Sequence, residues 1–349
     1  MTDFKEILLN HYSKHPEMEI EDIFKFIYQG AFGCEHMVSD AVAVSEYIAT
    51  EYMECASDSD CVEKLSDGYF RVPLSYLENG LTAKTLGKLF YLSSKKEKGG
   101  RECLEKALSD TKELICEGLI KLPLKDFVKK AEEWKNKGYS ALHHSEKFRS
   151  VYKPHYRVIW SEYIPLLPLL AKIDALLKNG RVILAIDGGS ASGKTTLAAL
   201  LSQIYESTVF HMDDFFLTPE MRTPERLSEV GGNVDRERFD REVMTPLTEG
   251  RDVVYRKFDC STGAFSEPVT VVPKKLVIVE GAYSMHPSLF KYYSLTVFLN
   301  IGRDKQRERI LKRNSPTLAK RFFEEWIPME DIYFENTDIK KRCDLIIGI

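Results

Sequence analysis

Nine consecutive residues carry the plainest chemical signal in this chain: Gly188, Gly189, Ser190, Ala191, Ser192, Gly193, Lys194, Thr195 and Thr196. A glycine, four residues, then Gly-Lys-Thr is the spacing of a phosphate-binding loop. Glycines let the backbone close around a phosphate, so that several N–H groups converge on it. A helix beginning at the loop's end adds its partial positive charge. Lys194 then reaches the terminal phosphates, and the Thr195 hydroxyl is a ligand for Mg²⁺. The ligands this implies are ATP and Mg²⁺.

Further titratable groups follow at element ends. Thr208 to Met212 reads as a strand and delivers Asp213-Asp214 at its carboxyl end. In an open parallel sheet that is where ligands bind. An aspartate near the γ-phosphate can accept the proton of an attacking hydroxyl. Lys275 to Gly281 is a second apolar strand that ends in Glu280, an acid placed to orient Mg²⁺ or its water shell. Arg303 to Arg313 is a basic helix, and Arg309 and Arg313 are candidates for a lid that closes on the nucleotide.

Two polar stretches lie in the first half: Gln29 to His36, and His143-His144-Ser145 with Tyr152 to Arg157. Glu35, His36, His143 and His144 could form a metal or ligand site, although their separation is no known ligand spacing.

The positioning elements fall into two groups. Val182 to Ile186 is a buried strand before the phosphate loop, and Thr195 to Tyr205 a helix after it. Leu295 to Leu299 and Cys343 to Ile347 complete a parallel set, and Asp252 to Asp259 pairs with Glu267 to Val272 around Gly263. The first half is mainly helical: Asp3–Tyr12, Glu19–Tyr28, Val38–Met53, Thr82–Ser93, Glu102–Glu117 and Leu124–Asn136, with an extended stretch from Gly68 to Ser75. Ser161 to Asn179 reads as a connecting helix. The expected organisation is a mainly α-helical domain over 1–155, a connector over 156–180, and an α/β domain with a parallel sheet over 181–349.

Composition bounds the rest. A chain of 349 residues, 44% hydrophobic and 29% charged, is expected to form two soluble globular domains. A net charge of −4 gives a nucleic-acid partner no electrostatic support. The seven cysteines form no Cys-x-x-Cys pair, which fits a reducing cytoplasm, and no apolar run is long enough to span a membrane.

The stretch from about 181 to 349 resembles the uridine kinase/phosphoribulokinase family of P-loop kinases. Met212-Asp213-Asp214-Phe215-Phe216 is similar to that family's Asp-x-Phe element, and closest in wording to nicotinamide riboside kinases. That resemblance implies Asp213 as the base. Asn233-Val234-Asp235 with Phe239-Asp240 resembles the stretch whose aspartate holds ribose hydroxyls, which implies Asp235. Phe258-Asp259 stands where the family has Tyr-Asp, so Phe258 and the nearby Tyr255 are implied on the acceptor side. Ile278-Val279-Glu280-Gly281 matches the Glu-Gly strand end, Asp304, Arg309 and Arg313 fall in the lid region, and Cys343 to Ile347 matches the last strand.

Some positions depart from the family. Phe258 replaces a tyrosine, no histidine occurs between Cys260 and Phe265, and Glu308-Arg309 replaces an arginine pair. The first 150 residues have no uridine kinase counterpart. The expectation is an ATP-dependent kinase acting on an alcohol of a nucleoside-like, sugar-like or vitamin-like small molecule. The rival is an ATP-sensing regulator whose nucleotide domain controls the helical half.

Overall fold

The computed structural model describes residues 3–34, 40–54, 61–96 and 99–349. Glu35 and His36 lie outside the described residues. The chain divides into two compact units, 1–174 and 175–349.

In the first unit, apolar residues at helical spacing produce helices that bury one face. These are α1 (Phe4–Lys14), α2 (Ile20–Phe32), α3 (Ala41–Glu54), α4 (Ala83–Ser93), α5 (Gly100–Cys116), α6 (Leu124–Asn136) and α7 (Glu146–Tyr152). α2 shows why: Ile20, Ile23, Phe24, Phe26, Ile27 and Ala31 are all buried. Each large side chain so buried contributes about 1.5–3 kcal/mol relative to exposure. The sequence ends this helix at Tyr28, with Gly30 and Gly33 as breakers, but Gly30 does not break it. The helix continues to Phe32, with Gly30 close to the Leu65 backbone where a side chain would crowd it, and Gly33, at φ 64°, ends it.

Three strands accompany the helices: β1 (Glu63–Lys64), β2 (Tyr69–Pro73) and β3 (Tyr156–Trp160), antiparallel in that order. Tyr69 pairs with Trp160 and Val72 with Arg157. Residues from Tyr156 to Trp160, expected in the connector, are therefore part of this sheet. The connecting helix is itself divided: a 3₁₀ segment from Ser161 to Leu166 contains Pro165, and α8 (Leu167–Leu177) follows. The Asp174 carboxylate accepts from the Thr82 N–H and from the hydroxyls of Thr82 and Thr85, at 2.7–2.9 Å. The unit boundary falls inside α8.

The second unit is built on β4 (Val182–Gly188), α9 (Lys194–Ile204), β5 (Ser207–His211), α10 (Pro224–Ser228), α11 (Arg236–Phe239) and α12 (Thr245–Thr248). Short antiparallel pairs follow, β6 (Val253–Tyr255) with β9 (Val269–Val271), and β7 (Phe258–Asp259) with β8 (Ala264–Phe265). Then come β10 (Leu276–Glu280), β11 (Leu295–Asn300), α13 (Arg303–Arg313), α14 (Pro316–Arg321), α15 (Ile327–Thr337), α16 (Ile339–Arg342) and β12 (Leu345–Gly348). The sheet order is β12-β11-β4-β10-β5, all parallel. β4 and β10 are buried at every residue, which is why they read as continuous apolar runs without alternation.

Register does the positioning. Glu280 pairs with Ile186 on one side and with His211 on the other. The carboxyl ends of β4, β10 and β5 thus bring the phosphate loop, Glu280 and His211–Asp213 to one edge. Gly188 is required at the start of the loop: its φ is 145°, and a Cβ there would lie 2.5 Å from the Leu299 carbonyl oxygen.

Candidate phosphotransfer site

A cavity of about 590 Å³ opens at that edge. Its walls include Ser190, Ala191, Gly193, Lys194, Thr195 and Thr196 of the loop, Asp213 after β5, Glu280 at the end of β10, and Arg313 at the end of α13. Six of these come from one loop, but the other three come from elements spread over a hundred residues, and the parallel register brings them together.

Lys194 donates to the carbonyl oxygens of Gly188 (2.9 Å) and Gly189 (3.2 Å), so its ammonium lies across the mouth of the loop. The Thr195 hydroxyl donates to Glu280 Oε1 at 3.0 Å, and His211 Nδ1 lies 2.5 Å from the same oxygen. Hydrogen bonding to Glu280 raises the His211 pKa above its usual value. Asp213 is open to the cavity water, whereas Asp214 is half-buried and pairs with Lys257 at 3.0 Å. The walls around Asp213 reduce its hydration and raise its pKa, against the pull of Lys194. The two neighbouring aspartates, equivalent on sequence grounds alone, therefore differ in structure.

Helices beyond the sheet hold the loop from outside. Gln306 on α13 donates to the Ser190 carbonyl at 3.0 Å, and Arg309, one turn on, donates to the Ala191 carbonyl at 3.1 Å. Glu330 on α15 accepts from the Ser190 N–H (2.9 Å) and the Ser190 hydroxyl (2.6 Å). It is 3% exposed, and burial raises its pKa. Tyr333, one turn further, donates to Asp187 Oδ2 at 2.9 Å, just before the loop. Glu330 and Tyr333 carry no sequence signal, because α15 has no motif, and Gln306 is hidden among the charged residues of α13. A buried glutamate aimed at a glycine-rich loop has no periodicity to announce it.

Three expected acceptor contacts sit elsewhere. The Asp235 carboxylate caps α11, accepting from the Arg238 N–H at 3.0 Å, and it lies 3.5 Å from Arg238 Nε. The Tyr255 ring is 5% exposed; it stacks on Phe215 and meets Phe210 edge-on, both with centroids 5.6 Å apart. Phe258 is 5% exposed and packs on Phe265. None of the three lines the cavity. Strand alternation and helix capping use these side chains for packing. Phe216, Arg222, Asn233, Cys260, Ser261 and Tyr283 line the cavity instead. In the first unit, His143 is exposed while His144 is buried on Asp22 at 2.9 Å, so the two adjacent histidines do not share one environment.

No protein-family model matches the chain. Part of it is 29% identical over 143 residues to uridine kinase-like protein 4 of Arabidopsis thaliana, covering 38% of this chain and 30% of that protein. It is 26% identical over 186 residues to the uridine kinase of Chlamydia pneumoniae, covering 48% of this chain and 81% of that protein. This chain thus spans less than a third of the first relative and about four fifths of the second. A solved structure described as a possible uridine kinase from Bacillus stearothermophilus is 26% identical, with a TM-score of 0.39, over 51% of this chain and 98% of that one. Among the described residues no helix is long and apolar enough to cross a membrane. In sequence the C-terminal half of the chain is similar to uridine kinases, and its parallel sheet with a phosphate loop is the fold of a P-loop kinase.

Proposed function

We propose that residues 181–349 transfer the γ-phosphoryl group of ATP to an alcohol of a small nucleoside-like, sugar-like or vitamin-like molecule. The observation that carries this reading is the single cavity shared by Lys194, Thr195, Asp213 and Glu280. The loop N–H groups and Lys194 bind the β- and γ-phosphates. Asp213 accepts the hydroxyl proton of the acceptor, the acceptor oxygen bonds to the γ-phosphorus, and the bond to the β–γ bridging oxygen breaks to release ADP. Arg313, on the cavity wall, offsets charge on the transferring group, and Arg309 acts through the loop by its bond to Ala191.

The Thr195 hydroxyl and Glu280 carboxylate, 3.0 Å apart, form an all-oxygen donor set suited to Mg²⁺. These two residues would hold the ion, with Asp213 across the same cavity. Bound there, Mg²⁺ would neutralise negative charge on the phosphates.

The acceptor side is assigned to Arg222, Asn233 and Tyr283 in place of Asp235, Tyr255 and Phe258, because the former line the cavity. The test is ADP release with ATP, Mg²⁺ and a panel of nucleosides, sugars and vitamins. Acceptor-dependent turnover supports the proposal. Its absence across all three classes, with ATP binding intact, refutes it.

A further inference from the structure

The first unit contains a second concave site, built entirely from its own residues. A cavity of about 210 Å³ is lined by Lys14, His15, Glu63, Arg71, Tyr152 and Tyr156. Its floor is held by two carboxylate–imidazole pairs. Glu63 Oε1 lies 2.6 Å from His11 Nδ1, and His11 Nε2 lies 3.3 Å from Arg71 Nη1. Asp22 Oδ1 lies 2.9 Å from His144 Nδ1, and His144 Nε2 lies 2.7 Å from the Tyr156 hydroxyl.

Burial pushes both His11 and His144 down to about 4, against the pull of their carboxylates. Both are therefore neutral at pH 7, with the proton on Nδ1 facing the acid and a bare Nε2 facing Arg71 or Tyr156. Arg71 is 4% exposed, and its guanidinium lies 4.4 Å above the Tyr156 ring. Gln29 Oε1 accepts from Arg71 Nε and Nη2 at 3.0 and 2.8 Å. Each group in the floor has a partner, so the floor is rigid.

The groups around the cavity are different. The carboxylate of Glu63, the acid on its wall, is committed to His11 and to Arg71, the latter at 3.3 Å. Burial works against ionisation there, but the His11 hydrogen bond and the Arg71 charge outweigh it and hold Glu63 at about 2. Among the described residues Lys14 has no carboxylate partner. The Tyr152 hydroxyl accepts from the Glu17 N–H at 2.9 Å, which leaves its own proton to donate. One Arg71 N–H also remains. The cavity therefore presents a surplus of donors and positive charge. Its sides are formed by Tyr152, Tyr156 and Phe148, with Pro73 and Pro154; the Arg71 guanidinium already lies over one face of Tyr156, and His144 stacks on Phe148.

His11, His15 and Glu63 could also be read as a metal trio, since their ligand atoms lie within 4.8 Å of one another. Hydrogen bonding opposes that reading. A metal on His11 Nδ1 would leave Nε2–H facing an Arg71 N–H, two donors in contact, and a metal on Nε2 would have to displace Arg71.

We infer that this cavity binds a small planar organic anion, a ring bearing a carboxylate or phosphate. The acidic group meets Lys14, Tyr152 and the spare Arg71 N–H, and the ring lies against the Tyr152, Pro73 and Pro154 side of the cavity. The test is isothermal titration calorimetry on the full chain with benzoate and phenyl phosphate, and with benzyl alcohol as the neutral control. Since the kinase cavity also attracts anions, the titration is repeated in Lys194→Met.

The expected result is saturable binding of one or both anions with Kd below about 1 mM, and none of the alcohol. That binding persists in Lys194→Met and weakens at least tenfold in Lys14→Glu and in Tyr152→Leu, exchanges of half-buried or exposed residues that leave the floor intact. Persistence in Lys194→Met would separate this site from the kinase cavity. Three results would overturn it: no saturable binding of either anion, binding lost in Lys194→Met but kept in Lys14→Glu, or a Zn²⁺-dependent stabilisation abolished by His15→Ala without an anion response.

Discussion

Replacing Asp213 with asparagine separates chemistry from folding. The side chain is open to cavity water, and its pairing is unlike that of Asp214, which is tied to Lys257. The amide is nearly isosteric and breaks no ion pair, so unfolding free energy should change by less than about 0.5 kcal/mol. The rate should fall much further. A positioned general base contributes about 10²- to 10⁴-fold, which is about 2.7–5.4 kcal/mol of activation free energy at 1.36 kcal/mol per decade.

The pH profile adds a second signature. A base works only when ionised, so kcat/KM falls as pH drops through its pKa. The walls raise the Asp213 pKa, so this acid limb should lie above the range of a free aspartate, and the residual activity of Asp213→Asn should lack it. Acceptor-dependent ADP release measured from pH 4.5 to 8, with urea unfolding alongside, checks both. Retention of more than a tenth of the wild-type rate, or an acid limb unchanged in the variant, would refute the role of Asp213.

Other perturbations probe the scaffold. His11 and His144 are shifted from 6.5 to about 4, so the unfolded chain takes up protons below pH 6.5 that the native state refuses until about pH 4. Stability is therefore full above pH 6.5 and lost as pH falls, by on the order of 3 kcal/mol per histidine, which urea titrations followed by Trp134 and Trp160 fluorescence between pH 7.5 and 4.5 should detect. Glu330→Ala strands the Ser190 N–H and hydroxyl and should destabilise the second unit by about 1–3 kcal/mol, with Glu330→Gln costing less; equal denaturation midpoints for the three proteins would contradict this. Gly33→Ala forces a Cβ to 2.5 Å from Tyr69 Cε1 at φ 64°, and should cost more than about 1 kcal/mol by thermal or urea unfolding.

What the sequence revealed follows from how local each signal is. The phosphate loop is a contiguous string whose function depends on its own backbone, so Gly188 to Thr195 could be read directly. Helices such as α6 and α13, and strands such as β4 and β10, carry strong periodicity or uninterrupted burial and were placed within a residue or two. β3 was missed because Tyr156-Arg157-Val158-Ile159-Trp160 mixes polar and apolar residues that are nearly all buried. Arg157 is tolerated inside because Glu51, on α3 and 106 residues earlier in sequence, pairs with it at 2.5 Å. The lining of the cavity was hidden for a similar reason. Tyr255 and Asp235 have suitable functional groups, yet a neighbouring ring and a helix end claim them, and no spacing rule encodes that competition.

The hydrogen bonds around the phosphate loop make it inseparable from the helices between β11 and β12. Ser190 is gripped at three atoms: its carbonyl by Gln306, its N–H and hydroxyl by Glu330. Ala191, which holds a left-handed φ of 59° without being glycine, has its carbonyl fixed by Arg309. A non-glycine residue in that region costs of order 1–3 kcal/mol and persists only where its surroundings enforce it. Here α13 and α15 are the enforcing surroundings. Arg313, one turn beyond Arg309 on the same helix, lines the cavity. A displacement of α13 that moves Arg313 toward or away from a bound nucleotide also pulls on the Ser190 and Ala191 carbonyls. Loop geometry and arginine position are thus coupled through a single helix, and the basic face of α13 acts on the phosphate loop by direct bonds as well as by charge.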